Sequence, residues 1–483
     1  MFRSQSGSGV FSLKTKFALD FIVQATHGEL KTQGPEGVQR IETDSRRPLK
    51  GALFVALKGE NFDGHQFVSA AIESGADAIL THQWDEKYLQ HQGKVAIVLV
   101  SDTLRALQDL AQAWRRECGF KVVGITGSNG KTTTKELASQ ILKEEFRVSA
   151  SPGSFNNHWG VPLSLLQAEA NTEVVLQEMG MNHSGEIRRL CEIATPDVTL
   201  VTMVGRAHIG ELGSIEAIQM AKNEIYESTP NGIHIYNLDN EFTLELYERE
   251  GVKGFPKDRQ ITFSSFNPEA DVLLRAGTLM KSGLQISGRL KDFEVDFKVR
   301  AFGRQVVSNL SAAASIGLAL GLTPEVLVKH LKDLKFESWG RNQWIPLATG
   351  SAVIFDGYNA NPESMRMLLK NLFELETEGK KYFIFSDMKE LGEWGDDAHQ
   401  EAAELAGQIG LSKIWYFGSH MGAVKAGLKN SGFHGEAVFS NDFDPKIAQQ
   451  IQAELSSGDV VALKASRGSK IERVLNCWGV DGF

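Results

Sequence analysis

The run KVVGITGSNGKTTTKELASQIL, which begins at Lys121, restricts this chain more than any other segment. An apolar, β-branched stretch passes through a glycine-containing turn into a run with helical apolar spacing, giving strand, loop and helix in the order that phosphate binding requires. Such a cradle needs backbone N–H groups turned toward one point, a positive helix end, a lysine for the outer phosphates and a hydroxyl for magnesium. Gly127, Gly130, Lys131 and Thr132 supply these, and Thr126, Ser128, Asn129 and Thr133 complete the set of contacts expected for ATP. The loop departs from the GxxxxGK[ST] spacing: Ile125 stands where the first glycine would be, and the earlier glycines are Gly124 and Gly127.

Strand–loop–helix units recur on both sides of this loop. Upstream, GALFVALKGENFDGHQFVSAAIESGADAILTH reads as strand, loop, helix and strand, followed by the strand VAIVLV and a helix around Leu104 to Arg116. Downstream, VVLQEM, VTLVTMV and IHIYNLD read as further strands of a mostly parallel sheet. Short alternating runs between about Gly251 and Val299 predict a small antiparallel excursion. From Trp339 onward AVIFDGY, YFIFSDM, KIWYFG and DVVALKA alternate with helical segments, which predicts a second doubly wound sheet.

A length of 483 residues exceeds what one hydrophobic core usually serves. The expected fold is therefore α/β in three domains: a smaller N-terminal α/β domain (1–118), a central phosphate-loop domain with a mostly parallel sheet (119–337) and a C-terminal Rossmann-like sheet (338–483). Net charge is −9, which argues against broad nucleic-acid binding while leaving room for one local anion pocket. Cys118, Cys191 and Cys477 are widely spaced and odd in number, so they suit a reducing cytoplasm and are expected to be ordinary buried thiols. The opening MFRSQSGSGVFS has no continuous apolar core and reads as a frayed tail, so the protein is expected in the cytoplasm and not embedded in a membrane. Val306 to Leu322 is apolar but carries Ser308, Asn309, Ser311 and Ser315, and reads as a buried helix rich in small residues.

Other residues point to chemistry by their place at strand ends. Glu178 follows four apolar or neutral strand residues and precedes Gly180, where a carboxylate can face the crevice and hold magnesium. His208 lies in a loop after another strand and could be a metal ligand, a base or neither. Lys222, taken alone, is a solvated helix lysine. In FDGYNANPESM a strand ends in Asp356, and Tyr358, Asn359 and Asn361 suit a turn as well as a zwitterionic or amide-bearing ligand. FSDMKELGEWGDDAH, with Asp387, and ALKASRGSKIERVL likewise follow strands.

Taken together, these motifs make the chain resemble the Mur ligases. The resemblance covers nearly its whole length: TDSR and LFVALKGENFDGH, then TGSNGKTTT, FNNHWGVP, EMGMNHSGEI, AHIGELGS and AKNEIY, then DGYNANPES, DMKELG and KASRGS. It implies an ATP-dependent amide ligase of peptidoglycan precursor synthesis, and the YNANP and DMxELG pair resembles the branch that joins D-alanyl-D-alanine to UDP-N-acetylmuramoyl-tripeptide through an acyl phosphate. A sibling ligase adding one amino acid and a nucleotide-switched binding protein are the alternatives. By the same resemblance, Lys131 would meet the γ-phosphate. Thr132 and Glu178 would hold one Mg2+, His208 would help hold a second, and Lys222 would be carbamylated. Asn309, Arg341 and Asp356 would serve ATP, the last two joining on closure. Thr43, Ser45, Arg46, Asp63, His65, Asn156 and Asn157 would contact the UDP substrate. Tyr358, Asn359, Asn361 and Asp387 would face the dipeptide, in an enzyme acting as a monomer without nucleic acid. One run differs: where the family commonly has GxHNxxN this chain reads GRQVVSN, with Gln305 and Val306 in place of the His and Asn.

Overall fold

The computed structural model of the chain describes residues 16–280, 283–336, 339–480 and 482, so the expected frayed tail at 1–12 lies outside the described residues. The chain divides into two compact units, Met1–Gly124 with Phe146–Met179 and Arg188–Asp197, and Ile125–Glu145 with Gly180–Ile187 and Val198–Phe483.

In the first unit five strands run in the order Glu29–Thr32, Ala96–Leu99, Ala78–Thr81, Ala52–Val55, Arg40–Glu42. All neighbours are parallel except the Glu29–Thr32 edge. The helix Thr103–Cys118 opens on Asp102, whose carboxylate accepts from the Leu104 and Arg105 amides at 2.8 and 3.0 Å. It ends at Gly119, whose φ of 67° lies in the left-handed region that glycine adopts without strain. The same unit holds Val148–Ala150 and Val174–Glu178 as a parallel pair.

The strand Lys121–Thr126 runs out of the first unit and into the second. In the second unit Val198–Val201, Ile233–Asn237, Gln260–Ser264 and Val272–Met280 follow one another in parallel. Gly283–Leu290 and Phe293–Val299 then continue antiparallel, which is the predicted excursion. The helix Lys131–Lys143 buries Leu137, Ile141 and Leu142 at 0–2% exposure, each worth roughly 1.5–3 kcal/mol of burial, and this fixes its N-terminus in place. It packs against Gln305–Ala319, the expected small-residue helix, in which Ala312, Ala313, Ala314 and Ser315 are buried.

A second sheet in this unit has six strands in the order Gln343–Pro346, Ala352–Asp356, Val460–Lys464, Lys381–Ser386, Lys413–Phe417, Glu436–Ser440. All pair in parallel except the first. Val353–Phe355, Phe383–Phe385 and Val461–Leu463 are fully buried, as continuous apolar runs covered on both faces must be. Polar residues therefore gather at the carboxyl ends, around Asp356, Lys464 and Ser386, where the strand order reverses and open sheets take ligands. The cysteines correct one expectation, because Cys191 is buried but Cys118 and Cys477 are only half-buried; none is in a disulfide. Among the described residues no helix is long and apolar enough to cross a membrane.

Candidate active site

The phosphate loop is held open by its neighbours before any ligand arrives. Thr202 continues the strand pairing, its amide donating to the Thr126 carbonyl at 2.9 Å, and its hydroxyl donates to the Asn129 carbonyl at 2.5 Å. The Ser128 amide donates to the Met203 carbonyl at 2.8 Å, and its hydroxyl is tied to both the carbonyl and the amide of Gly205. Two glycines are obligatory here. Gly127 has φ 144° and a Cβ there would come within 1.9 Å of the Thr202 hydroxyl, while Gly130, at φ 84°, would press a Cβ to 2.6 Å from Asn309 Oδ1. Lys131 starts the helix and curls back so that its ammonium donates to the Gly127 carbonyl at 2.6 Å.

Lys131, Lys222 and His208 share this neighbourhood. Lys222, buried to 2% exposure on the helix Ile215–Glu227, has its amine pushed well below the ordinary lysine range, first by burial and then by the Lys131 ammonium. His208 falls from 6.5 to about 4, chiefly through burial, with Lys222 and Lys131 adding and Glu186 opposing. Its backbone is held at φ 66°, an uncommon conformation for a residue with a side chain. Glu390 Oε2 lies 3.2 Å from its Nδ1, yet that buried nitrogen makes no aligned hydrogen bond among the described residues.

The C-terminal sheet reaches this loop at two points. Arg341 donates to the Thr132 hydroxyl at 2.9 Å and lays its guanidinium over the Tyr358 ring at 4.1 Å. Asn361 and Asn129 exchange a reciprocal pair of amide hydrogen bonds at 3.0 and 2.9 Å, and Asn361 also caps the helix Pro362–Glu374. Asn359 is exposed, with its carbonyl accepting from Lys464. Asp387 stands apart from these contacts: Tyr416 and both donors of Ser419 hold its carboxylate. Burial opposes its ionisation, but those hydrogen bonds prevail and keep it below the usual carboxylate range. Asp387, His399 and His420 lie close enough to suggest a metal site, but both His399 nitrogens are occupied, Nδ1 by the Gly395 carbonyl and Nε2 by the Met388 amide.

A cavity of about 980 Å³ adjoins the phosphate-loop helix, lined by Thr133, Gln305, Asn309, Arg341 and Trp344 among others. Gln305 Oε1 accepts from Asn371 at 2.7 Å, and Asn371 Oδ1 accepts the Arg304 amide at 3.0 Å. Gln305 thus docks the start of its helix on Pro362–Glu374, which gives the departure from the family run a structural role.

In the first unit, Glu178 ends its strand buried and accepts from Asn156 Nδ2 at 2.9 Å. Asn157, just before the helix Gly160–Gln167, accepts from the Trp159 and Gly160 amides at 3.2 and 2.9 Å. Thr43 and Ser45 are half-buried, and the exposed Arg46 is gripped by both oxygens of Asp44. His65 is buried with Nδ1 on Asp63 at 2.6 Å and Nε2 facing the His82 amide at 3.3 Å, so it orders its own loop. Sequence reasoning did not single out Thr202 or Lys464. The first has no motif; the second stood within KASRGS, directly after a strand.

Fold and loop together define an α/β protein whose phosphate-type loop is met by Arg341 and Asn361 from beside a second, mostly parallel sheet. Residues 37–115 match the Mur ligase family catalytic domain, 125–317 the Mur ligase middle domain and 340–467 the Mur ligase glutamate ligase domain. The UDP-N-acetylmuramoyl-tripeptide-D-alanyl-D-alanine ligase of Bacillus subtilis is 34% identical over 91% of this chain and 92% of its own. That of Escherichia coli is 31% identical over 96% and 98%. The crystal structure of MurF from Acinetobacter baumannii superposes with a TM-score of 0.84 at 29% identity, covering 96% of this chain and 99% of that one. MurF ligase from Thermotoga maritima in complex with ADP gives 0.78 at 30% identity, covering 91% and 97%. The chain belongs to the Mur ligase family.

Proposed function

We propose that this protein is an ATP-dependent ligase that joins D-alanyl-D-alanine to UDP-N-acetylmuramoyl-tripeptide. The observation that carries the reaction type is the phosphate loop at a helix N-terminus, with the Lys131 ammonium curled over it and the Arg341 guanidinium placed on Thr132, a cationic cradle suited to a triphosphate tail. The choice of substrates is supported by the names of the relatives above. The proposed division of labour is 1–118 for the UDP substrate, 119–337 for ATP, and 338–483 for the dipeptide and for completing the nucleotide site; the matched stretches 37–115, 125–317 and 340–467 support it.

In this reading a carboxylate oxygen of the tripeptide attacks the γ-phosphorus of ATP, ADP leaves, and the resulting acyl phosphate is attacked by the dipeptide amine, which expels phosphate. Lys131 and the loop amides hold the transferred phosphoryl group through both steps, and Arg341 neutralises charge as it develops. Phosphoryl transfer asks for alignment more than covalent help, which is what a loop fixed by Thr202 and Ser128 offers.

The ligand types suit magnesium. In the second unit the Thr132 hydroxyl is a hard oxygen and His208 has a buried ring nitrogen without an aligned partner among the described residues; in the first unit Glu178 ends its strand with a carboxylate. Magnesium would supply positive charge that offsets the charge of the phosphates. Lys222 as a bare amine does not fit a cation site, but burial disfavours its charged form, the uncharged amine is the nucleophile that captures carbon dioxide, and the carbamate formed would be an anionic oxygen ligand. The enzyme is read as a cytoplasmic monomer, a setting that suits Cys118, Cys191 and Cys477, none of which is in a disulfide.

A coupled phosphate-release assay with the tripeptide nucleotide tests this. Release is expected only when ATP, acceptor and D-alanyl-D-alanine are all present. Release with a free amino acid in place of the dipeptide would point to a sibling ligase, and hydrolysis indifferent to the acceptor would point to a nucleotide switch.

A further inference from the structure

Lys464 is one of the least expected residues in the molecule: an ammonium at 1% exposure at the carboxyl end of a central strand. In the parallel register it stands beside Asp356, and its Nζ donates to Asp356 Oδ2 at 2.5 Å and to the Asn359 carbonyl at 2.8 Å. A buried pair of this kind gives little net stability, since desolvation offsets most of the attraction, so its placement calls for another explanation. The other oxygen of Asp356 accepts the Asn342 amide at 3.3 Å, and the Tyr358 amide donates to the Gly340 carbonyl at 3.0 Å. Two loops, around 340–342 and 356–361, are thus fastened at one ammonium. Each carries a residue that touches the phosphate loop: Arg341 on Thr132, and Asn361 on Asn129.

Resting on the ligase reading above, we infer that Lys464 is a positioning residue for nucleotide use: through Asp356 and the Asn359 carbonyl it sets where Arg341 and Asn361 meet the phosphate loop. Its own hydrogen bonds go to Asp356 and the Asn359 carbonyl. Its effect passes through the two backbone segments it ties together.

The test uses the full chain with three changes: Lys464→Met, the double change Lys464→Met with Asp356→Asn, and Asn129→Ala. Lys464→Met alone strands a buried carboxylate and should lower Tm. The double change removes that charge and should return Tm close to the starting value, while Met still cannot donate to the Asn359 carbonyl. Binding of a fluorescent ADP analogue is then expected to weaken about tenfold in the double variant, and kcat for phosphate release to fall by a similar factor, with KM for the muramyl nucleotide little changed. Adding Asn129→Ala to the double variant should cost much less than Asn129→Ala does alone, because both act on the same contact. Normal nucleotide binding in a stable double variant, or fully additive losses, would overturn the inference. Should the unaltered protein bind the ADP analogue yet ligate nothing, the ligase reading fails while the nucleotide-binding cycle still decides the role of Lys464.

Discussion

The phosphate loop and the Asp356–Asn361 loop do neighbouring work but are built in opposite ways. The first is a contiguous segment, Thr126 to Thr132, whose shape comes from glycines within it and from Thr202 beneath it. The second depends on an ammonium 108 residues away in sequence, on the adjacent strand. A contiguous cradle is readable as a motif; an assembled one is a pair of turns until a sheet brings its parts together.

The largest expected effect breaks the contiguous side. Lys131→Ala should reduce phosphate release by roughly a thousandfold, since it removes a charge aimed at the reacting phosphoryl group. A melting scan should show the fold retained, because the ammonium donates to the carbonyl of its own loop. Activity near the starting level would remove Lys131 from the site.

Next comes acid, which bears on the assembled side. His399 lies at 0% exposure under the loop that follows Lys381–Ser386, and burial, more than the neighbouring His420, takes it from 6.5 to about 4 against the opposing pull of its Gly395 hydrogen bond, Asp387 and Asp396. The unfolded chain binds this proton first, so stability is full above pH 6.5 and falls as pH drops toward 4, by up to about 3 kcal/mol. Calorimetry of His399→Gln should show a flatter acid limb; an unchanged limb would mean His399 is not the group responsible.

Gly127→Ala should destabilise the protein by about 1–3 kcal/mol, a local cost confined to the contiguous loop. Denaturant titration measures it, and a neutral result would mean that Thr202 yields. The smallest effect is expected at Arg206, which pairs with Glu363 at 3.1 Å and Glu401 at 3.0 Å on the side of the assembled loop. These groups are partly solvated, so Arg206→Ala should cost less than about 1 kcal/mol, and less still in high salt.

The same contrast explains what the sequence disclosed. The parallel strands were legible because both faces are covered and the runs are continuously apolar, as in Val353–Phe355 and Val461–Leu463. The edges Gln343–Pro346 and Glu436–Ser440 were not, being short and only partly buried. The small-residue helix from Gln305 was recognisable from its composition, but Gln305 itself was not interpretable until Asn371 stood opposite it. Asn361 read as a turn residue and is one, as a helix cap; its second partner, Asn129, lies 232 positions away and no local pattern announces it. Asp387 and His65 sat in suggestive motifs, yet their polar atoms are engaged by Tyr416 and Ser419, and by Asp63 and His82.

Formation of an acyl phosphate at the phosphate loop is the central step of the proposed reaction, and oxygen tracing tests for it directly. With the tripeptide's terminal carboxylate labelled with ¹⁸O, turnover should place one labelled oxygen in each phosphate released, because the attacking oxygen departs with the phosphoryl group. Released phosphate free of label would contradict it.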